Sequence, residues 1–134
     1  MGLKRFKSQR GTNAIEFALI APVLFAILFG VVDYGWYFGQ QVVLDRAVRA
    51  GARSASVQPQ AAALATAETS ADEAWTAYGL PGTVIFDPSI LTIAGDVDLI
   101  RVVGTLEFSA PSGLTPVPSQ LVSSIAFRLE DQGE

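Results

Sequence analysis

The sequence predicts an α+β fold made of one long N-terminal helix, a second helix and a small antiparallel sheet of three or four strands. Three observations predict it: an apolar run near the N-terminus, an alanine-rich segment with helical spacing, and alternating apolar residues through the last third of the chain. A length of 134 residues allows one domain with an appendage.

Composition narrows the chemistry available to the chain. The sequence has no cysteine and no histidine, which excludes disulfides, thiolate nucleophiles and the commonest general base. The first ten residues carry four basic side chains, and the remainder carries five against thirteen acidic ones. An acidic body argues against a nucleic-acid partner. No phosphate-binding loop or serine–base pattern is visible, so we predict that the protein is not an enzyme and holds no cofactor or metal.

The most apolar run, FALIAPVLFAILFGVV, occupies residues 17–32 and has no polar side chain. A helix needs about 20 residues to cross the hydrocarbon of a bilayer. Residues 12–38 meet that length and end in aromatic residues typical of the headgroup region, Tyr34, Trp36, Tyr37 and Phe38. The basic residues in segment 1–11 predict that this end stays in the cytoplasm and that residues 39–134 form a domain on the opposite side.

Three kinds of targeting segment would contain such a run. A secretory signal peptide needs a small-residue cleavage site after the run, and DYGWYF fills that place instead. A plain signal anchor fits everything except Glu16, because a carboxylate at the edge of hydrocarbon is costly and is usually kept for a function. The third kind uses Glu16, which is the fifth residue after Gly11.

The order of basic tail, Gly11, Glu16 and apolar helix resembles a class III signal, the substrate of prepilin peptidase. In type IV pilins and pseudopilins that peptidase cuts after such a glycine on the cytoplasmic face. The resemblance implies that residues 1–11 are a leader and that the mature chain begins at Thr12, with Phe17 at its sixth position.

A longer stretch resembles one family. Ile15-Glu16-Phe17-Ala18-Leu19, Pro22, Asp33-Tyr34-Gly35 and Gly51-Ala52-Arg53 follow the pattern of the TadE-like pseudopilins of tight-adherence (Tad) pili, over roughly residues 11–56. The resemblance implies a minor pilin of the inner membrane, with a periplasmic outer domain, that starts or tips a Tad (Flp) pilus. It implies as partners prepilin peptidase, a TadF-like pseudopilin, the Flp major pilin, the Tad inner-membrane platform proteins and membrane lipid. The alternatives are an unprocessed, signal-anchored periplasmic binding module and, third, a membrane-tethered enzyme.

Glu16 has two interpretations. After cleavage, Thr12 would carry an ammonium group that Glu16 reaches in its own helix or, as the pilin resemblance implies, in a neighbouring subunit. As an acid in the first helical turn, Glu16 would instead gain at most about 1 kcal/mol from the helix dipole.

Three further features are candidates for assembly or partner contact. Pro22 removes the hydrogen bond to the carbonyl of Ala18, which is a tolerated kink in a membrane helix. In pilin-like subunits, such a proline permits local melting during assembly. Gly35 and Gly39 form a GxxxG pair that allows another helix to approach closely. Three arginines share one face of the following helix with Asp45, as a solvated surface or a partner surface: Arg46, Arg49 and Arg53.

The outer domain is predicted from local patterns. The first helix continues to about residue 57, and a second spans about 60–78, with apolar positions at Leu64, Ala67, Ala71, Trp75 and Tyr78. Strands follow between about residues 83 and 130, with a break at Asp87-Pro88, a turn at Gly95-Asp96 and a bulge at Gly104.

Gly11→Leu tests the leader. A side chain before the cut is expected to block the peptidase, so the variant should insert normally yet run about eleven residues larger than the processed wild type. The matched measurement is sequencing of the wild-type N-terminus, where Thr12 supports cleavage and Met1 or Gly2 supports a plain anchor. Identical migration of both forms beside an active peptidase would refute the class III signal.

Overall fold

The structure is a computed structural model that describes residues 9–93 and 97–130, with the side chains of its first helix from residue 13 onward. The basic residues Lys4, Arg5 and Lys7 and the predicted Gly95-Asp96 turn lie outside the described residues. So does the side chain of Thr12.

The described chain contains two helices followed by three strands. They are α1 (Gln9–Ser56), α2 (Gln60–Thr76), β1 (Val84–Ile93), β2 (Val97–Glu107) and β3 (Gln120–Arg128). The strands form an antiparallel sheet in the order β1-β2-β3. The two helices pack against each other and cover one face of this sheet, α1 over β2 and β3 and α2 chiefly over β1. The predicted α+β class is confirmed, with three strands.

Helix α1 has two halves with different surroundings. Its 48 residues extend for about 72 Å. From residue 13 to residue 32 nearly every side chain is exposed, although almost all are apolar. From residue 40 onward one face is buried against α2 and the sheet, with Leu44, Ala47 and Val48 fully covered. The second half of α1 is therefore the central element of the outer domain's core, and the first half projects from it.

The contact between α1 and α2 depends on small residues. The buried face of α2 consists of Ala63, Ala67, Ala71 and Trp75. A Cβ atom on Gly51 would lie 2.5 Å from the carbonyl oxygen of Ala67 and 2.8 Å from the Cβ of Ala71. The two helix backbones therefore approach closely because Gly51 has no side chain.

The predicted apolar face of α2 is partly wrong. Ala67, Ala71 and Trp75 are buried as expected, but Leu64 is 40% exposed and Tyr78 is also exposed. Ala63 takes the inward position instead, because the spacing of four between Ala63, Ala67, Ala71 and Trp75 follows the line of closest approach to α1. The larger Leu64 lies beside that line.

Gly104 is where α1 crosses the sheet. A Cβ there would lie 2.7 Å from Cγ2 of Val48 and 2.9 Å from Cδ1 of Leu44. The predicted bulge at Gly104 is wrong, since Gly104 pairs in unbroken register with Phe86 on β1 and Ser123 on β3. The glycine makes room for the helix and does not interrupt the strand.

The predicted strand break at Asp87-Pro88 is also wrong. Strand β1 runs without interruption for ten residues, and Pro88 pairs with Val102 within it. Proline lacks an amide donor, so it is tolerated in a strand that lies at the edge of a sheet. Strand β1 is such an edge strand.

Gly51→Leu should destabilise the outer domain, because a side chain must displace the backbone of α2 and overpacking typically costs about 1–3 kcal/mol. Gly39→Leu is the control, since a Cβ at that position meets nothing within 4 Å. Urea titration of both variants in detergent, followed by near-ultraviolet circular dichroism, measures the difference. Equal midpoints for the two variants would contradict the close approach at Gly51.

Candidate functional site

Asp33 is fully buried although both of its neighbours in α1, Val32 and Tyr34, are exposed. Its carboxylate accepts hydrogen bonds from the amide of Ser112 at 2.9 Å, from the Ser112 hydroxyl and from the Thr115 hydroxyl. Burying a carboxylate is costly unless donors replace water, and hydrogen bonds to a charged acceptor are about twice as strong as neutral ones. Three donors from one loop therefore tie the loop between β2 and β3 to α1.

The loop, residues 108–119, has internal bonds of its own. The amide of Phe108 donates to the carbonyl of Ser119 at 2.8 Å and closes its base. Gly113 adopts a left-handed conformation with φ of 65°, which permits the tight turn at the apex. The Leu114 amide donates to Oγ of Ser112 at 3.1 Å. Because Oγ of Ser112 accepts this bond while donating to Asp33, the hydroxyl serves the loop structure and is not a free nucleophile.

Two aromatic residues strengthen the attachment on the same side of α1. The Tyr34 hydroxyl donates to the carbonyl oxygen of Pro116 at 2.9 Å. The ring of Tyr37 packs edge-on against the buried ring of Phe108, with centroids 5.3 Å apart and planes at 89°. This edge-to-face arrangement is favourable for aromatic pairs. The loop is held along one turn of α1 beyond the apolar run.

Sequence reasoning missed the role of Asp33, which entered only as part of the Asp33-Tyr34-Gly35 step. The available signal was weak: an acid at the outer end of an apolar run, and two hydroxyl residues in an uncharged loop. The partners are 79 and 82 positions apart, and no local period connects them.

The predicted assembly residues at the start of α1 lie on its projecting half. Glu16 and Phe17 are exposed, and among the described residues Glu16 has no hydrogen bond or ion pair. Pro22 is exposed inside a helix that continues through it. The backbone of Gly11 and Thr12 belongs to α1. Glu16 and Asp33 thus differ in their surroundings. The Glu16 carboxylate has no partner among the described residues, whereas the Asp33 carboxylate accepts hydrogen bonds from three donors.

The predicted GxxxG pair is open to the surroundings. Gly35 and Gly39 are exposed, and a Cβ at either position would meet nothing within 4 Å. Neither glycine is needed for packing inside this subunit, in contrast to Gly51 and Gly104. Space is therefore open directly beside both glycines.

The predicted arginine surface is present as three exposed side chains, Arg46, Arg49 and Arg53. Nη1 of Arg46 donates to the Tyr78 hydroxyl at a long 3.4 Å. Asp45, expected on the same face, is half-buried and accepts a hydrogen bond from Nε2 of Gln41 at 3.3 Å. Gln41 also donates to the carbonyl of Val122 on β3. The three arginines are therefore the fully exposed part of this face, and Asp45 is partly covered.

Comparison with known proteins identifies the N-terminal region. Residues 11–53, about a third of the chain, match the model of the family described as TadE-like protein. The match confirms the resemblance seen in the sequence over these residues. No curated protein and no solved structure matches the chain significantly. Within the described residues α1 is long and apolar enough to cross a membrane, which fits a single-pass membrane protein.

Asp33→Asn should loosen the loop, because the amide group presents donors of its own to the three donors around it and leaves some of them unpaired. Amide hydrogen exchange at Ser112 and Leu114 should accelerate about tenfold or more, since each 1.4 kcal/mol lost corresponds to a factor of ten. Asp72→Asn, which alters an exposed acid on α2, should leave this exchange unchanged. Equal protection in the wild type and Asp33→Asn would show that the carboxylate does not hold the loop.

Proposed function

We propose that this chain, which is TadE-like over residues 11–53, is a minor pilin that starts or tips a Tad (Flp) pilus by non-covalent packing and without catalysis. It is inserted in the inner membrane through α1 and cut after Gly11 by prepilin peptidase. The observation that carries the proposal is Glu16, an exposed carboxylate at the start of an exposed apolar helix with no partner among the described residues.

Glu16 requires a cation once α1 is in the membrane. A charge at the edge of hydrocarbon is kept where it is paired. Cleavage after Gly11 would create an ammonium group at Thr12, four residues from Glu16 in sequence. Pairing with a neighbouring subunit's Thr12 neutralises both charges and sets the axial position of one helix against the next.

The rest of the projecting helix favours contact with other helices. Apolar side chains are exposed around its circumference, including Phe17, Leu19 and Leu24. Association of helices in lipid depends on close packing, which small residues allow. Gly35 and Gly39 leave room for a neighbouring helix just beyond the apolar run, and Pro22 permits a local change of helix shape when a subunit leaves the bilayer.

Orientation follows from charge. The basic residues before Phe17 and the absence of any from there to Arg46 keep the N-terminus in the cytoplasm, where the peptidase cuts, and place the outer domain in the periplasm. The TadF-like pseudopilin, the Flp major pilin and the Tad platform proteins are the proposed partners. Arg46, Arg49 and Arg53 provide an exposed basic surface for an acidic partner in the periplasm.

Glu16→Gln separates assembly from a helix-start role. The first-turn position that the sequence allowed for Glu16 is wrong, because α1 begins at Gln9 and has no acid in its first turn. Any remaining helix-dipole contribution would be at most about 1 kcal/mol, and the variant would then behave as wild type. If Glu16 neutralises a neighbour's Thr12 amine, the lost pair should weaken association by about two or more powers of ten, because the remaining charge is left unpaired. The variant should still be inserted and cut, yet fail to support pili.

Recovery of crosslinked complexes from cells that make equal amounts of each protein is the measurement for Glu16→Gln. Glu68→Gln is the matched control, because it removes an exposed acid from α2 and should assemble as wild type. Normal pili and full recovery of the complex with Glu16→Gln would overturn the assembly role.

A further inference from the structure

The apex of the loop between β2 and β3 reaches toward the apolar half of α1. Thr115 bonds Asp33, and its Cγ2 lies 3.9 Å from where a Cβ on Gly30 would be. Gly30 and Phe29 are correspondingly half-buried, whereas the residues before them, from Pro22 to Leu28, are exposed. The loop therefore ends close to the level of Gly30, one turn nearer the N-terminus than Asp33.

This apex has the composition of a surface that meets lipid. Residues 109–119, SAPSGLTPVPS, contain no charged side chain. Leu114 at the tip is 70% exposed, while the polar groups of Ser112 and Thr115 are directed to Asp33. The loop thus exposes the aliphatic side chain of Leu114 and directs the hydroxyls of Ser112 and Thr115 to Asp33.

The length of α1 sets where the bilayer must end. Irregular backbone does not occur exposed to lipid within hydrocarbon, so the loop excludes the hydrocarbon core from the level of Gly30 outward. Arg10, the last basic residue before the apolar run, keeps the first residues of α1 outside the hydrocarbon in the full chain, and the new ammonium group at Thr12 would do so in a chain cut after Gly11. The helix from Thr12 to Phe29 measures about 27 Å, just under the roughly 30 Å of a typical core. This part of the helix is no longer than the hydrocarbon core that it has to cross. The hydrocarbon therefore extends as far as the loop apex.

We propose that this loop, residues 108–119, contacts the membrane surface beside α1, and we call it the foot. Leu114 inserts between the lipid headgroups and acyl chains of the leaflet from which the outer domain emerges, and Asp33 holds the loop at that height. The membrane span then ends near Phe29, and not at residue 38 as the sequence predicted. The exposed aromatic residues Tyr34 and Trp36 follow within two turns, at the headgroup level that such side chains favour.

The foot restrains the outer domain against the bilayer. A single helix alone would let the domain tilt freely, whereas a second point of contact beside the helix limits that tilt. The inference rests on membrane insertion of α1 and not on cleavage or pilus assembly, so it can be tested on the purified chain.

The absence of cysteine allows single-site labelling of the full chain in vesicles of phosphatidylethanolamine and phosphatidylglycerol at low protein-to-lipid ratio. A nitroxide is attached to Leu114→Cys, and its collision rates with oxygen and with a water-soluble nickel chelate are measured. Ile27→Cys, in the apolar run, reports insertion. Val122→Cys, an exposed position at the height of Gln41, reports water.

The label at position 114 should show an oxygen-to-nickel ratio several-fold above that at position 122 and below that at position 27. A ratio equal to that at position 122 would overturn the proposal. Exclusion of both reagents from position 114 would also overturn it, since that result indicates contact with a second copy of the chain.

Asp33→Asn in the labelled chain tests the support for the foot. With the label at position 27 unchanged, the ratio at position 114 should fall toward that at position 122. A ratio that stays high would overturn the role of Asp33 in holding the loop. None of these measurements involves a pilus, so they distinguish this inference from failure of the assembly role of Glu16.

Discussion

One continuous helix has to be stable in an apolar environment along its first half and in a water-exposed domain along its second half. The rest of the structure follows from that constraint. The first half of α1 exposes apolar side chains on all sides, which is stable only in lipid or against other apolar helices. The second half buries Leu44 and Val48 in the core of a water-exposed domain. Because the helix does not break between these halves, the outer domain must be assembled directly onto the end of the membrane segment.

That requirement explains the small residues along the second half of α1. In the described residues the outer domain is built from two helices and three strands, and its core is modest in size. Gly51 and Gly104 let α2 and the sheet approach α1 more closely than side chains would allow. Close packing increases the contact made by each buried side chain, which offsets the limited number of large ones.

The two carboxylates at the ends of the apolar run have different surroundings. Asp33 is satisfied within the subunit by Ser112 and Thr115, so its charge fixes the loop to the helix. Glu16 has no such donors among the described residues and is available to another chain. Asp33 is hydrogen-bonded within the subunit at the outer end of the run, and Glu16 is exposed at the inner end. This arrangement fits a subunit whose domain is rigidly attached to the helix and whose membrane helix associates with others.

Local pattern was sufficient to predict the long apolar helix, the second helix, the fold class and the TadE-like region, because each depends on spacing or on a short motif. It was insufficient at Gly104, Pro88 and Leu64, because the local structure or burial at these positions depends on which helix or strand packs against them. The attachment of the loop to Asp33 was decided by tertiary structure alone. The hydrogen bond between Ser112 and Asp33 joins groups 79 residues apart and forms only when the sheet places its loop beside α1. No periodic pattern in the sequence predicts this contact.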